Sequence, residues 1–326
     1  MSIKEIQELF QPQMKMVESF IDDALRTDIR LLDSTNRMLR ERPGKMLRPL
    51  LGILTAGACG KRTVDSIRFA AAAELLHNAT LLHDDVVDGA TERRGRPTVS
   101  QILSGPAAVL IGDFWLTRSM QVILGADKYS ERVLRVFAAT LADLSEGEML
   151  QLQKAAQADT TEDDYITIIF DKTASLFQAT AESAAISVEA PDEYLEAVVS
   201  YARKLGIAFQ IKDDIFDYAP STGNLGKPVG QDLWEQKITQ PLLSALYTAP
   251  AEEERKIRPL LGQLADHPEI IPQIVEFVQK YNGVELAAGV MDSYINGALE
   301  SLRCLPPSRE KEALVALAHF VGEREN

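Results

Sequence analysis

The chain has 326 residues, 46% hydrophobic and 25% charged, an ordinary globular balance with room for one large domain or two modest ones. Its formal net charge of -14 argues against nucleic acid or an anionic membrane as the main partner. The two cysteines, Cys59 and Cys304, lie far apart without CxxC or histidine neighbours, which suggests a reducing, cytoplasmic compartment and neither a disulfide framework nor a zinc site.

The helical period dominates from end to end. Residues 2–24 read as an amphipathic helix interrupted early by Pro12, without the basic start and apolar middle of a signal peptide. A second helix over 28–40 is stopped by Arg42-Pro43-Gly44, and an apolar one over 45–59 ends at Gly60. Residues 64–88 are alanine-rich, free of Gly and Pro, and apolar all round, so this helix is expected at the centre. The polar loop GATERRGRPTVS follows. Helices are then expected over 107–125, 131–156, 161–190 and 192–218, with capping signals in Thr161 and Asp164 and in Asp192 after Pro191. The Gly- and Pro-rich residues 219–232 read as a loop, and further helices are expected near 235–248, 251–264, 267–281, 283–303 and 308–323. No alternating β pattern stands out, and no run reaches the roughly 18–20 apolar residues of a membrane span. No low-complexity linker divides the chain. The expectation is a single all-α domain over 1–326, of a dozen or so helices.

Two short stretches carry the chemistry. Asp84-Asp85-Val86-Val87-Asp88 is repeated in kind by Asp213-Asp214-Ile215-Phe216-Asp217. In each, the first and last aspartates are four apart and so share one helix face. Negative charge is unwelcome at a helix C-terminus, and aspartate is a poor helix former, so such clusters call for a cation. Mg²⁺ with phosphate oxygens completing its shell fits. One such cluster, in a chain with 48 Asp and Glu, is most often a solvated patch. Two copies, each following an apolar run and each attended by basic residues, outweigh that reading. Lys45 and Arg48 stand where a loop enters a helix, a natural anion site. Arg93, Arg94 and Arg96 follow the first cluster, Lys172 and Thr173 lie in an apolar helix, and Lys227 and Lys237 flank the loop after the second cluster. His77, seven residues before Asp84, shares its face, although a core or surface histidine is the commoner meaning of such a residue.

With these motifs in view, the chain resembles the trans-isoprenyl diphosphate synthases, or polyprenyl synthases. The likeness rests on seven motifs in order: GKMLRP at 44–49, LLHDDVVDGATERRGRPT at 81–98, GDFWLTR at 112–118, EGEMLQ at 146–151, Lys172-Thr173, FQIKDDIFDY at 209–218, and the GK at 226–227. Its details are similar to long-chain, octaprenyl-type members. The resemblance implies an isoprenoid synthase-like helical bundle around a deep central cavity, working as a homodimer on isopentenyl diphosphate and an allylic prenyl diphosphate. It implies about three Mg²⁺ ions, held by Asp84, Asp85 and Asp88 on one side and by Asp213, Asp214 and Asp217 on the other. Lys45, Arg48, His77 and Arg94 would hold isopentenyl diphosphate; Arg93, Lys172, Lys227 and Lys237 would hold the allylic diphosphate. Thr173 and Gln210 would face the reacting carbons. Product length would be set beside the helix of Asp84, where Thr80 and Ala79 lie about 6–8 Å below the metals at 1.5 Å per residue. Short-chain members close the tunnel there with an aromatic residue; these small side chains leave it open, with Leu76 next below and Phe137, on the helix expected to face it, the candidate floor. Gln236 departs from a glycine common in the family before the lysine numbered Lys237 here, and the C-terminal GEREN, basic only at Arg324, receives no role. A shorter-chain synthase, a terpene cyclase and an inactive partner subunit remain as alternatives.

Overall fold

A computed structural model describes residues 2–41, 44–93, 95–218 and 230–324. The helices are α1 (Ile3–Leu9), α2 (Gln11–Ala24), α3 (Arg30–Arg40), α4 (Leu47–Cys59), α5 (Val64–Val87), α6 (Val99–Ile102), α7 (Gly105–Leu124), α8 (Ser130–Gln157), α9 (Glu162–Ile169), α10 (Ser175–Ser187), α11 (Asp192–Asp217), α12 (Gln231–Trp234), α13 (Gln240–Thr248), α14 (Ala251–Leu261), α15 (Ile271–Lys280), α16 (Gly283–Ser301) and α17 (Arg309–Glu323). The all-α expectation holds, with local corrections. The expected 161–190 helix is broken by a π-helical turn, Phe170–Ala174, between α9 and α10. The polar loop after α5 contains one antiparallel pair, β1 (Glu92–Arg93) with β2 (Arg96–Pro97), and then α6. Of the expected 219–232 loop, residues 219–229 lie outside the described residues, while Gln231–Trp234 is helical because Asp217 supplies its cap.

The chain forms two compact units. The first comprises Met1–Ala138, Ala179–Val199 and Cys304–Leu314. Its centre is α5, as its composition requires: from Ser66 to Leu76 every residue but Arg68 is buried. A Thr63–Ser66 capping box starts this helix. α7 packs along it, held by Ser119 Oγ donating to the Ala72 carbonyl at 2.8 Å and by Gly112, where a Cβ would stand 2.3 Å from His83 Nε2. By length and composition α7 could cross a membrane. The core helix of a globular protein can be equally apolar, and Asp113 and Arg118 interrupt the apolar run of α7, as read from the sequence.

The second unit comprises Ala139–Gln178, Ser200–Arg303 and Val315–Asn326. One apolar cluster in it gathers Tyr218, Leu233, Leu242, Ile257, Leu261, Ile274 and Phe277. The approach of α13 to α16 depends on Gly283, where a Cβ would lie 2.2 Å from the Pro241 carbonyl oxygen. Here too stand the π turn, the C-terminal half of α11 and the second aspartate cluster.

Candidate active site

In the first unit, α5 ends in the first aspartate cluster. Asp88 is the C-cap, its N–H donating to the Asp84 carbonyl at 2.8 Å. Asp84 is half-buried, Asp88 exposed and Asp85 buried. Left-handed backbone at Gly89 (φ +62°) and Gly95 (φ +75°) turns the basic loop back, and β pairing sets Arg93 opposite Arg96. Arg93, expected on phosphate, donates from Nε to Asp85 Oδ1 at 2.5 Å. Arg94 lies outside the described residues. At the entry to α4, Met46 holds φ +51°, a strained left-handed conformation between Lys45 and Arg48, with Gln7 Nε2 donating to the Lys45 carbonyl at 2.9 Å. His77 is half-buried. Of the chain-length residues, Leu76, Ala79 and Phe137 are fully buried, and Thr80 donates its hydroxyl to the His77 carbonyl at 2.9 Å.

In the second unit the expected residues form a connected chain. Thr173 Oγ1 donates to Gln210 Oε1 at 2.8 Å, and Gln210 Nε2 donates to Asp214 Oδ1 at 2.9 Å. The Tyr165 hydroxyl donates to Asp214 Oδ2 at 2.6 Å. Both oxygens of Asp214, one of the expected metal candidates, accept from protein donors, and through one of these bonds Asp214 also holds Gln210 in place. Burial pushes its carboxyl up to about 6, reinforced by Asp213 and Asp217 and opposed by the Tyr165 and Gln210 hydrogen bonds. Asp213 accepts from Arg324 Nη2 at 2.6 Å, and Arg324 also covers the Phe209 ring with its guanidinium carbon 3.9 Å from the centroid. Asp217 accepts from the Gln231 and Asp232 N–H groups at 2.9 and 3.0 Å. Lys172 pairs with Glu148 at 2.5 Å, and Lys237 pairs with Glu235. Lys227 lies outside the described residues. Gln236 holds φ +58°, so this departure from glycine falls where the backbone favours glycine.

Sequence reasoning missed Tyr165, Arg324 and Glu148. Glu148 carried a signal, since it lies in the EGEMLQ motif. That motif also supplies Gly147, where a Cβ would sit 2.5 Å from Asp171 Cβ and 3.2 Å from Lys172 N. Gly206 presses the other end of the π turn, its would-be Cβ 2.5 Å from Ala174 Cα. The turn that carries Lys172 and Thr173 is thus seated between α8 and α11 at two points where no side chain fits. Arg324 and Tyr165 stand 111 and 49 positions from their aspartates, and no local pattern marks either.

Among the described residues, no group of three or more His, Cys, Asp or Glu could by itself hold a metal ion. What each cluster offers is a pair of hard oxygen donors four apart at a helix end. That suits Mg²⁺, which takes one or two carboxylates and fills its shell with water and phosphate, better than it suits an ion that needs a complete protein cage.

The polyprenyl synthetase family model matches residues 29–278. The octaprenyl diphosphate synthase of Haemophilus influenzae is 36% identical over 324 residues, covering 99% of this chain and 98% of that protein. A decaprenyl diphosphate synthase from Rhodobacter capsulatus superposes with a TM-score of 0.91 at 33% identity, over 99% of this chain and 100% of that one. A geranylgeranyl pyrophosphate synthetase from Pyrococcus horikoshii gives 0.90 at 31% identity, over 99% of each. The chain belongs to the polyprenyl synthetase family, the trans-isoprenyl diphosphate synthases. It is therefore an enzyme, a prenyltransferase.

Proposed function

We propose that this enzyme is a long-chain all-trans polyprenyl diphosphate synthase, adding isopentenyl diphosphate units to an allylic diphosphate such as farnesyl diphosphate. A product of about thirty-five to forty-five carbons would suit a quinone side chain. The observation that supports this reading is that both aspartate triads are intact and each stands at the C-terminal end of a long helix. Asp84 and Asp88, and Asp213 with Asp217, would hold about three Mg²⁺ ions against the allylic diphosphate. Bound there, the metal supplies electrostatic stabilisation of the departing diphosphate.

Arg93, Lys172, Lys227 and Lys237 add positive charge to that leaving group, and the allylic carbocation forms as it departs. Lys45, Arg48, His77 and Arg94 hold isopentenyl diphosphate so that its double bond attacks the cation. Thr173 and Gln210 present dipoles to the reacting carbons; the hydrogen bond to Asp214 fixes which end of the Gln210 amide points where. The proton lost at the end passes to the released diphosphate, so no side-chain acid–base pair is required. Buried Ala79, a methyl group in place of an aromatic ring, supports a long product, with Leu76 and Thr80 along the same wall and Phe137 as its floor. Exposed Val109, Leu110 and Leu124 on α7 support a homodimer. Cysteine usage supports a cytoplasmic setting, the product passing on to a membrane.

Purified protein incubated with Mg²⁺, farnesyl diphosphate and isopentenyl diphosphate should yield long linear prenyl diphosphates on chromatography. Products that stop at fifteen or twenty carbons would make it a short-chain synthase. Cyclic hydrocarbons would make it a terpene cyclase, and no turnover would make it a partner subunit.

A further inference from the structure

Within the first unit, α3, α5, α6, α7 and the β1–β2 turn surround a cavity of about 270 Å³. Its walls are apolar, built by Leu39, Leu82, Val99, Ile102 and Trp115. None of these five belongs to the catalytic or chain-length residues assigned above, whereas Arg93 and Asp85, which also line the cavity, belong to the allylic diphosphate and metal set, so the cavity borders that site. Two of its lining residues are arginines, Arg93 and Arg96, cross-strand partners in the β pair. Residues directly opposite in such a pair stand on one face with their Cβ atoms about 5 Å apart, so the two side chains leave the pair on the same face. Each is tied to a carboxylate on a different element: Arg93 to Asp85 at the end of α5, and Arg96 to Glu41 just after α3, at 2.8 Å from Nη1 to Oε2. Asp85 also lines the cavity, and Glu41 is exposed.

This composition selects a class of ligand. An apolar space flanked by a pair of arginines suits a molecule with a hydrocarbon body and one anionic group, because the guanidinium fork binds carboxylate or phosphate oxygens in a bidentate way. At roughly 30 Å³ for each small group, the volume takes a body on the order of nine or ten heavy atoms. A purely apolar guest would leave two half-exposed cations at its end without reward, and a purely polar one would lose its own hydration against the apolar wall without replacement hydrogen bonds.

We propose that this cavity binds a small amphiphilic anion, its hydrocarbon body against Trp115 and Val99 and its charged group between Arg93 and Arg96. The anion competes with Asp85 for Arg93. Resting on the reading of Asp84, Asp85 and Asp88 as the first metal-binding cluster, a second consequence follows: an anion that draws Arg93 away leaves that cluster more negative, so ligand and Mg²⁺ each favour binding of the other.

The probe is decanoate, with decanol as the uncharged molecule of the same length. Trp115 lines the cavity and only one other tryptophan exists, so Trp234→Phe leaves Trp115 as the sole reporter. Decanoate should shift the Trp115 emission saturably, and decanol should bind about tenfold more weakly, since its head group is not charge-assisted. Arg96→Gln in that background should bring decanoate and decanol to within about threefold of one another, with the helical circular dichroism unchanged. Val99→Phe, which fills the space, should abolish both; were that variant to misfold, the Arg96→Gln comparison decides alone. No emission change, equal binding of the two probes, or an Arg96→Gln variant that keeps the preference would overturn the site. Decanoate affinity that does not rise when Mg²⁺ is added, with binding otherwise intact, would overturn the link to the aspartates and leave the cavity as a simple binding site.

Discussion

The carboxylates of this chain differ by environment more than by sequence. Asp213 and Asp214 are neighbours, yet one accepts from Arg324 and the other is buried as the anchor of Gln210. Replacing Asp84 or Asp213 with alanine should lower turnover by roughly two orders of magnitude or more, because each removes charge needed only as the leaving group departs, while isopentenyl diphosphate binding changes little. Near-wild-type turnover in steady-state assays would refute the metal assignment. Ala79→Phe or Ala79→Tyr places a ring in a fully buried position on α5, and the products should shorten towards fifteen or twenty carbons; an unchanged chromatogram would remove Ala79 from the account. Asp171 offers a test that does not depend on activity. Burial, with Asp143 and Glu146 nearby, raises its carboxyl from 3.8 to about 6, against the pull of Arg203. The folded state thus holds this proton more tightly than the unfolded chain. The stabilising contribution is complete below about pH 4 and is lost as pH rises through 6. Asp171→Asn should match the parent near pH 4 and exceed it by about 1 kcal/mol above pH 6.5, a figure already discounted for solvent contact. Thermal denaturation across that range measures it, and a parallel pair of curves would show the side chain is not desolvated in solution.

At the level of elements, the sequence made the α5 and α11 aspartate clusters legible, because a four-residue spacing at the end of an apolar run is a local pattern. It also marked α5 as central, since no face of that helix is polar. The π turn was not legible: Phe170–Ala174 has ordinary helical composition, and the residues packed on either side of it come from elsewhere in the chain. Those neighbours are glycines, 147 and 206, separated in sequence from the turn and from each other. Such turns occur at functional sites because they re-aim side chains within a helix. Here the two side chains concerned are Lys172 and Thr173, the second holding Gln210. Gly206→Ala would drive a methyl group into the Ala174 backbone and should cost about 1–3 kcal/mol of stability. Gly147→Ala should displace Lys172 by a fraction of an ångström to an ångström and lower kcat about tenfold or more. Steady-state kinetics beside a melting curve separates the two. A Gly147→Ala enzyme with normal kcat would mean that the position of the π turn does not matter to catalysis.

Across the whole molecule, the two units are built from alternating stretches of chain. The boundaries fall after Ala138, Gln178, Val199, Arg303 and Leu314, and α8, α10, α11 and α17 each contribute residues to both units. Neither unit is a continuous segment that could be cut out, which is why composition and linker signals gave no boundary. The single-domain reading of the sequence thus becomes a thermodynamic prediction. Helix formation is cooperative along the chain, so a helix that melts at one end weakens its other end, and four such helices tie the fate of each unit to the other. Thermal unfolding should therefore follow one transition, with near-ultraviolet and far-ultraviolet circular dichroism coincident and the calorimetric and van't Hoff enthalpies in agreement at fixed protein concentration. The expected destabilisation from Gly206→Ala in the second unit should move that one transition as a whole. Two separated transitions, with the variant shifting only one of them, would show that the units fold independently despite their shared helices.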